Sequence, residues 1–114
     1  MKTYIFVAVL LSIAMAIPAQ ANYSCQGTVT FLGVNQNAGV VVGGPGGLPD
    51  VYLCQLNTTS PNGWLPEDCK AAYAILLSAK LSGQTVTIYF NDSLMCSTQP
   101  AWANYVSSYF VSTP

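Results

Sequence analysis

Polar and apolar residues alternate along Cys25-Gln26-Gly27-Thr28-Val29-Thr30-Phe31-Leu32. Gly27, Val29 and Phe31 fall on one side and Thr28 and Thr30 on the other, the two-residue period of a half-buried strand. Asn35-Gln36-Asn37 is a turn cluster, and Ala38 to Val42 is a short β-branched run ended by Gly43-Gly44-Pro45-Gly46-Gly47. Asp50 to Leu56 reads as a third strand, in a hairpin with the second. Alternation returns at Thr85 to Phe90, with Val86, Ile88 and Phe90 inward and Thr85, Thr87 and Tyr89 outward. After a loop from Asn91 to Pro100, and then Trp102, Ser108-Tyr109-Phe110-Val111 supplies a short last strand.

Between the third and fourth strands the period changes to that of a helix. Asn57 to Leu65 is a polar loop carrying Trp64, and Pro66 suits the first helical position, where a missing N–H costs nothing. Glu67 and Asp68 place negative charge at the positive end of the helix dipole, Lys80 sits in the last turn, and Gly83 marks the stop. Cys69, Tyr73, Leu76 and Leu77 form a predicted core stripe; Ala71, Ala74, Ile75 and Ser78 form a second, mostly small-residue stripe. One small domain offers one core. The second stripe therefore points to a neighbouring copy of the chain, although alanines left exposed as good helix formers would give the same pattern.

Charge and composition narrow the function classes. Lys2, the apolar run from Tyr4 to Ala16 and Ala19-Gln20-Ala21 make residues 1–21 an expected signal peptide, and the run to Ile17 is shorter than the ~18 residues of a membrane span. Without those 21 of 114 residues, 93 remain, enough for one domain over 22–114. Its charges are Lys70 and Lys80 against Asp50, Glu67, Asp68 and Asp92, with no arginine and no histidine. Two lysines on one helix cannot neutralise a phosphate backbone, so nucleic acid is not an expected partner. The glycine cluster is not followed by a helix and a lysine, so it is expected to be a loop tip needing positive φ and not a phosphate cradle.

Catalysis is not expected either. There is no histidine base and no Ser/His or Cys/His pair, and Glu67 and Asp68 point about 100° apart on a helix instead of flanking one substrate. No cofactor and no metal site is predicted. The cysteines Cys25, Cys54, Cys69 and Cys96 lie far from metal-ligand spacing, and an even count in an exported small domain implies bridges. Four cysteines permit three connectivities.

The order β-β-β-α-β-β gives a mainly β fold with one helix, and it is the order of an OB-fold, a five-stranded Greek-key barrel. Closure of such a barrel pairs the first strand antiparallel with the fourth. It brings Cys25 near Cys96 and leaves Cys54 to tie the third strand to Cys69 in the first helical turn. On that model the domain is stapled by Cys25–Cys96 and Cys54–Cys69.

The cysteine-bounded loop from Cys54 to Cys69, the Ala/Tyr/Leu-rich helix, Ser82-Gly83-Gln84 and Val86-Thr87-Ile88-Tyr89-Phe90 resemble the receptor-binding B subunits of bacterial AB5 toxins, nearest to the subtilase-cytotoxin and typhoid-toxin type. Gly27-Thr28-Val29-Thr30-Phe31 is similar to their first strand. The resemblance implies a secreted or periplasmic homopentamer with its helices around a central pore, a separate catalytic subunit as partner, and cell-surface glycans bound on the outer barrel. In that family a serine directly before the glycine-headed first strand holds the sialic acid carboxylate. Here Gln26 stands at that position and Ser24 two residues earlier, a departure that bears on sialic acid recognition. Candidate ligand-binding residues are Ser24 and Gln26, with Tyr52 and Tyr89, and also Tyr23, as aromatics that can stack on a sugar. The other expectation is an exported envelope or matrix protein that uses the same barrel for structure or interaction and has no sugar site.

Overall fold

A computed structural model describes residues 22–103 and 105–114. The expected signal peptide lies outside the described residues. Among the described residues, six strands and one helix follow in the order β1 (Tyr23–Thr28), β2 (Phe31–Val34), β3 (Gly39–Gly43), β4 (Val51–Gln55), α1 (Pro66–Ser82), β5 (Thr85–Phe90) and β6 (Ser108–Ser112). They form two antiparallel three-stranded sheets, β1-β5-β6 and β2-β3-β4. Mainly β with one helix is therefore correct. The expected five strands are six, and among the described residues no ladder closes the two sheets into a barrel.

The extra strand comes from a break in the first one. β1 pairs with β5, as the barrel order requires, and β2 turns away to pair with β3. At the break the Thr30 N–H donates to Gly43 O at 2.9 Å. The break also resets which face is buried: Val29 is in the core, Phe31 is exposed and Leu32 packs inward, so the expected inward position of Phe31 is overturned. A period of two cannot survive a residue pair that changes sheets.

The glycine run does hold positive φ, at Gly44, Gly46 and Gly47, but it is not a free tip. Pro45–Gly47 is a short 3₁₀ turn folded onto β1, and a Cβ added at Gly46 would stand 3.1 Å from the Cα of Cys25. At the other hairpin, Asn35 Oδ1 accepts the N–H groups of Asn37 at 2.9 Å and Gly39 at 2.8 Å, shaping the turn between β2 and β3.

Helix α1 begins at Pro66 and ends on Gly83 in the left-handed conformation, φ 71°, as its sequence signals require. Its buried line is Cys69, Ala72, Leu76 and Ala79. Tyr73 is only partly covered and Leu77 is exposed, which corrects the expected core stripe. Cys69 is bonded to Cys54 on β4, and that bond fixes the helix rotation; one helical face then continues through Ala72, Leu76 and Ala79. Alanines on this face let the helix lie close to the sheets. Phe90, Ile88 and Val86 from β5, with Val40, Val42, Val51 and Leu53, fill the space beneath.

Both disulfides pair as the barrel order predicts, Cys25 with Cys96 and Cys54 with Cys69, each with Cα atoms 5.7 Å apart. That separation is ordinary for a disulfide. Among the described residues no helix is long and apolar enough to cross a membrane.

Candidate functional site

Strand β1 alternates: Cys25 is buried while Ser24 and Gln26 face solvent. Their ladder partners on β5 are Tyr89 and Thr87, and since Ile88 and Phe90 are buried, Tyr89 and Thr87 face out beside them. Residues directly opposite in an antiparallel pair have Cβ atoms about 4.5–5.5 Å apart. Ser24, Gln26, Thr87 and Tyr89 therefore make one small outward patch of hydroxyls, an amide and an aromatic ring.

The third strand of the sheet extends that patch. Tyr89 pairs with Phe110 but Phe90 pairs with Ser108, so Tyr109 is the extra residue of a bulge. Both Tyr109 and Phe110 are exposed, with ring centroids 6.2 Å and 5.4 Å from that of Tyr89. Sequence reading missed these two, because strict alternation allows only one of a Tyr-Phe pair to face out. The bulge that frees both has no signature in a run as short as Ser108–Val111.

The patch lies between two hollows. Beyond Ser24, a hollow of about 540 Å³ is lined by Tyr23, Ser93, Leu94, Met95 and Ser97. On the other side, a groove of about 400 Å³ runs between β6 and α1, with Tyr109 and Phe110 on one wall and Asp68, Ala71 and Ile75 on the other. Its floor includes Asn62, whose Nδ2 donates to Leu53 O and Val106 O, each at 2.7 Å. The indole N–H of Trp64 donates to Ser108 O at 2.9 Å and so fixes the loop of 57–65 against β6.

The remaining candidates sit elsewhere. Tyr52 is on β4 in the other sheet, in contact with Trp102 and Tyr105, and does not join Ser24, Gln26 and Tyr89. Tyr23 turns inward, its ring stacked on Phe90 at 5.3 Å. Ala71, Ala74 and Ser78 are exposed on the helix, and Ile75 is half-buried against the core.

Tyr23 belongs to a polar cluster at the rim of the first hollow. Its hydroxyl donates to Asp92 Oδ1 at 2.5 Å, and Gln99 Nε2 donates to Asp92 Oδ2 at 2.9 Å and to the Tyr23 hydroxyl. Burial, and then the bond to Asp92, push the Tyr23 hydroxyl up to about 12. Burial pushes the Asp92 carboxyl up as well, but the hydrogen bonds from Tyr23, Gln99 and the Leu94 N–H outweigh it and hold the group below its ordinary value. The Asp92 contribution to stability is present above the unfolded value of about 3.9 and is lost as pH falls through the lower folded one. The Tyr23 contribution is present below about 10 and is lost as pH rises toward 12. Urea unfolding across pH is therefore expected to show wild type more stable than Asp92→Asn at pH 6, with the gap narrowing as pH falls below the unfolded carboxyl value of about 3.9. A gap that does not narrow as the carboxyl is protonated contradicts the cluster.

Among the described residues no group of histidine, cysteine, aspartate and glutamate side chains is placed to hold a metal ion. Comparison with protein-family models, with curated proteins and with solved structures finds no match for this chain.

Proposed function

We propose that this chain is an exported, non-catalytic glycan-binding protein, acting outside the cytoplasm in the manner of an AB5 toxin B subunit. The observation that carries this reading is the convergence of Ser24, Gln26, Thr87, Tyr89 and Phe110 on one outward sheet face. Sugar recognition combines a ring that packs on C–H surface with hydroxyl and amide groups that exchange hydrogen bonds with sugar hydroxyls. Two residues named from sequence for hydrogen bonding, Ser24 and Gln26, and one named for stacking, Tyr89, lie on that face together. The site lacks a serine at position 26, so its ligand preference departs from the sialic acid pattern of those toxins.

The fold reading is an OB-type barrel opened at one seam. Supporting it are the β1–β5 pairing, the helix between β4 and β5, and two backbone bonds that carry the last loop along β4: Trp102 N–H to Asp50 O at 2.9 Å and Val106 N–H to Tyr52 O at 3.0 Å. Two disulfides fit an oxidising compartment, secreted or periplasmic.

Assembly into a homo-oligomer, pentameric by the same resemblance, uses the exposed stripe of Ala71, Ala74 and Ser78 with Ile75. Small residues there allow a second helix to approach closely, and Leu77 and Leu81 extend the apolar surface, Leu81 being 80% exposed. Native mass spectrometry at micromolar concentration is expected to give a closed oligomer for wild type and monomer for Ala74→Glu, which sets like charges against one another in every interface. Monomer alone for wild type removes the oligomer. A glycan array that stays blank for sialylated and neutral sugars on the assembled protein removes the lectin reading and leaves an envelope or matrix interaction protein.

A further inference from the structure

On the outer side of the β2-β3-β4 sheet stands an aromatic group that the proposed site does not use. Val40 and Val42 point into the core, so Val41 between them points out, yet it is only 3% exposed. Its cover is its ladder partner Tyr52, with Tyr105 packed beside it at 5.5 Å between centroids. Gly39 lies on the same face, and a Cβ there would stand 2.8 Å from the Tyr105 hydroxyl. Tyr52 and Tyr105 are thus explained as a roof over Val41 and Gly39.

Phe31 and Trp102 are not explained that way. They remain 38% and 55% exposed, although their rings meet edge to face at 5.6 Å. Trp102 also meets Tyr52 at 6.3 Å and 81°, and with both neighbours set at steep angles the indole stays more than half exposed. The backbone of Trp102 is at φ 54°, a left-handed conformation unusual for a bulky side chain. Backbone outliers of this kind cluster at ligand-binding and active sites, and this one carries an indole that is more than half exposed.

The rim of the group is polar and carries one carboxylate, Asp50, whose Oδ1 lies where a Cβ on Gly43, the ladder partner of Phe31, would point, and whose backbone O accepts the Trp102 N–H. Asn35 Nδ2 is directed at the Tyr52 hydroxyl at 3.4 Å, and its Oδ1 is occupied by two backbone N–H groups, so the amide is held in one orientation. Both lysines of the domain are on α1, and Lys80 Nζ donates to Thr30 O at 3.4 Å. The Asp50 carboxylate disfavours an anionic ligand at this group.

We infer that Phe31 and Trp102, with the Tyr52 hydroxyl and the Asn35 amide, form a second carbohydrate subsite, one that takes a neutral pyranose. The C–H face of the sugar stacks on the indole, and its hydroxyls reach Tyr52 Oη and Asn35 Nδ2. The subsite shares its ligand class with the Ser24–Tyr89 face but none of its residues, so either can fail alone.

The chain has two tryptophans, so in a ¹H–¹⁵N spectrum the Trp102 indole N–H reports this subsite and the Trp64 indole N–H serves as its reference. Titration with lactose, maltotriose and chitotriose is expected to shift the Trp102 signal saturably with at least one of them. The Trp64 signal, hydrogen-bonded to Ser108, is expected to stay put. Phe31→Ala weakens the response at least tenfold, and Tyr89→Ala leaves it unchanged even if the first site is real. Trp102→Gly, which suits the left-handed backbone, is expected to keep the melting temperature and to lose the sugar-induced shifts of the Gly33 and Gly39 amides. No saturable shift with any of the three sugars overturns the subsite. So does a large drop in melting temperature for Trp102→Gly, which makes the indole a packing residue, or concentration-dependent line broadening without sugar that this variant abolishes, which makes the group a contact between copies.

Discussion

Replacing Cys25 and Cys96 together by alanine is expected to lower the unfolding free energy by about 4 kcal/mol, against about 3 kcal/mol for the Cys54/Cys69 pair. The difference follows from the chain closed by each bridge: the sequence separations are 71 and 15 residues, and the entropy removed from the unfolded chain grows with the logarithm of the loop. Against a total of roughly 5–15 kcal/mol for a domain, either loss is severe. For a domain of this size the first corresponds to a melting temperature lower by roughly 15–30 °C. Urea denaturation followed by circular dichroism decides the order. A Cys54/Cys69 variant that loses more than the Cys25/Cys96 variant shows that fixing the rotation of α1 matters more than closing the long loop. The Cys25–Cys96 bridge also bears on the site, since it ties the strand carrying Ser24 and Gln26 to the loop that lines the adjoining hollow.

Gly44→Ala is expected to cost about 3 kcal/mol, at the upper end of the cost of a side chain in a sparsely populated backbone region. Gly44 has φ 116°, and a Cβ there would stand 2.5 Å from Thr28 O and 2.6 Å from Thr30 N. Those are backbone atoms at the break between β1 and β2 and cannot swing aside. Gly47→Ala provides the comparison: φ is 82°, but nothing lies within 4 Å of the new Cβ, so only a backbone cost of about 1 kcal/mol is expected. Equal losses for the two variants, measured by thermal and urea unfolding, contradict the close approach at the break. The position matters for function because this break sends β1 to one sheet and β2 to the other, leaving Ser24 and Gln26 beside Tyr89.

Elements with their own local signals were legible from sequence. Pro66, the acidic pair after it and Gly83 bounded the helix, and the alternation of Val86, Ile88 and Phe90 gave both the strand and its buried face. The β1–β5 pairing and both disulfides followed from element order, because a bridged pair has to be brought together by topology. Whatever depended on one strand changing its behaviour midway was not legible. The break at Val29-Thr30 turned one strand into two and exposed Phe31; the bulge at Tyr109 put two adjacent aromatics on one face; the bond from Cys69 to β4 chose Ala72 and Ala79 over Leu77 for the core. Each is set by a partner distant in sequence. The candidate site was half legible for the same reason: Ser24, Gln26 and Tyr89 come together through a pairing that element order implies, whereas Tyr52 belongs to the other sheet, and Phe110 arrives only through the bulge.

The proposed role rests on the outward face of β1-β5-β6, and one titration tests it most directly. A glycan that the assembled wild-type protein retains on an array is titrated by calorimetry into wild type, Tyr89→Ala and Gln26→Ala, with thermal unfolding confirming that each variant folds. Loss of the stacking ring is expected to weaken binding at least tenfold, or about 1.4 kcal/mol, with a smaller loss for the amide. Affinity unchanged in both folded variants would place the sugar elsewhere and contradict this face as the binding site.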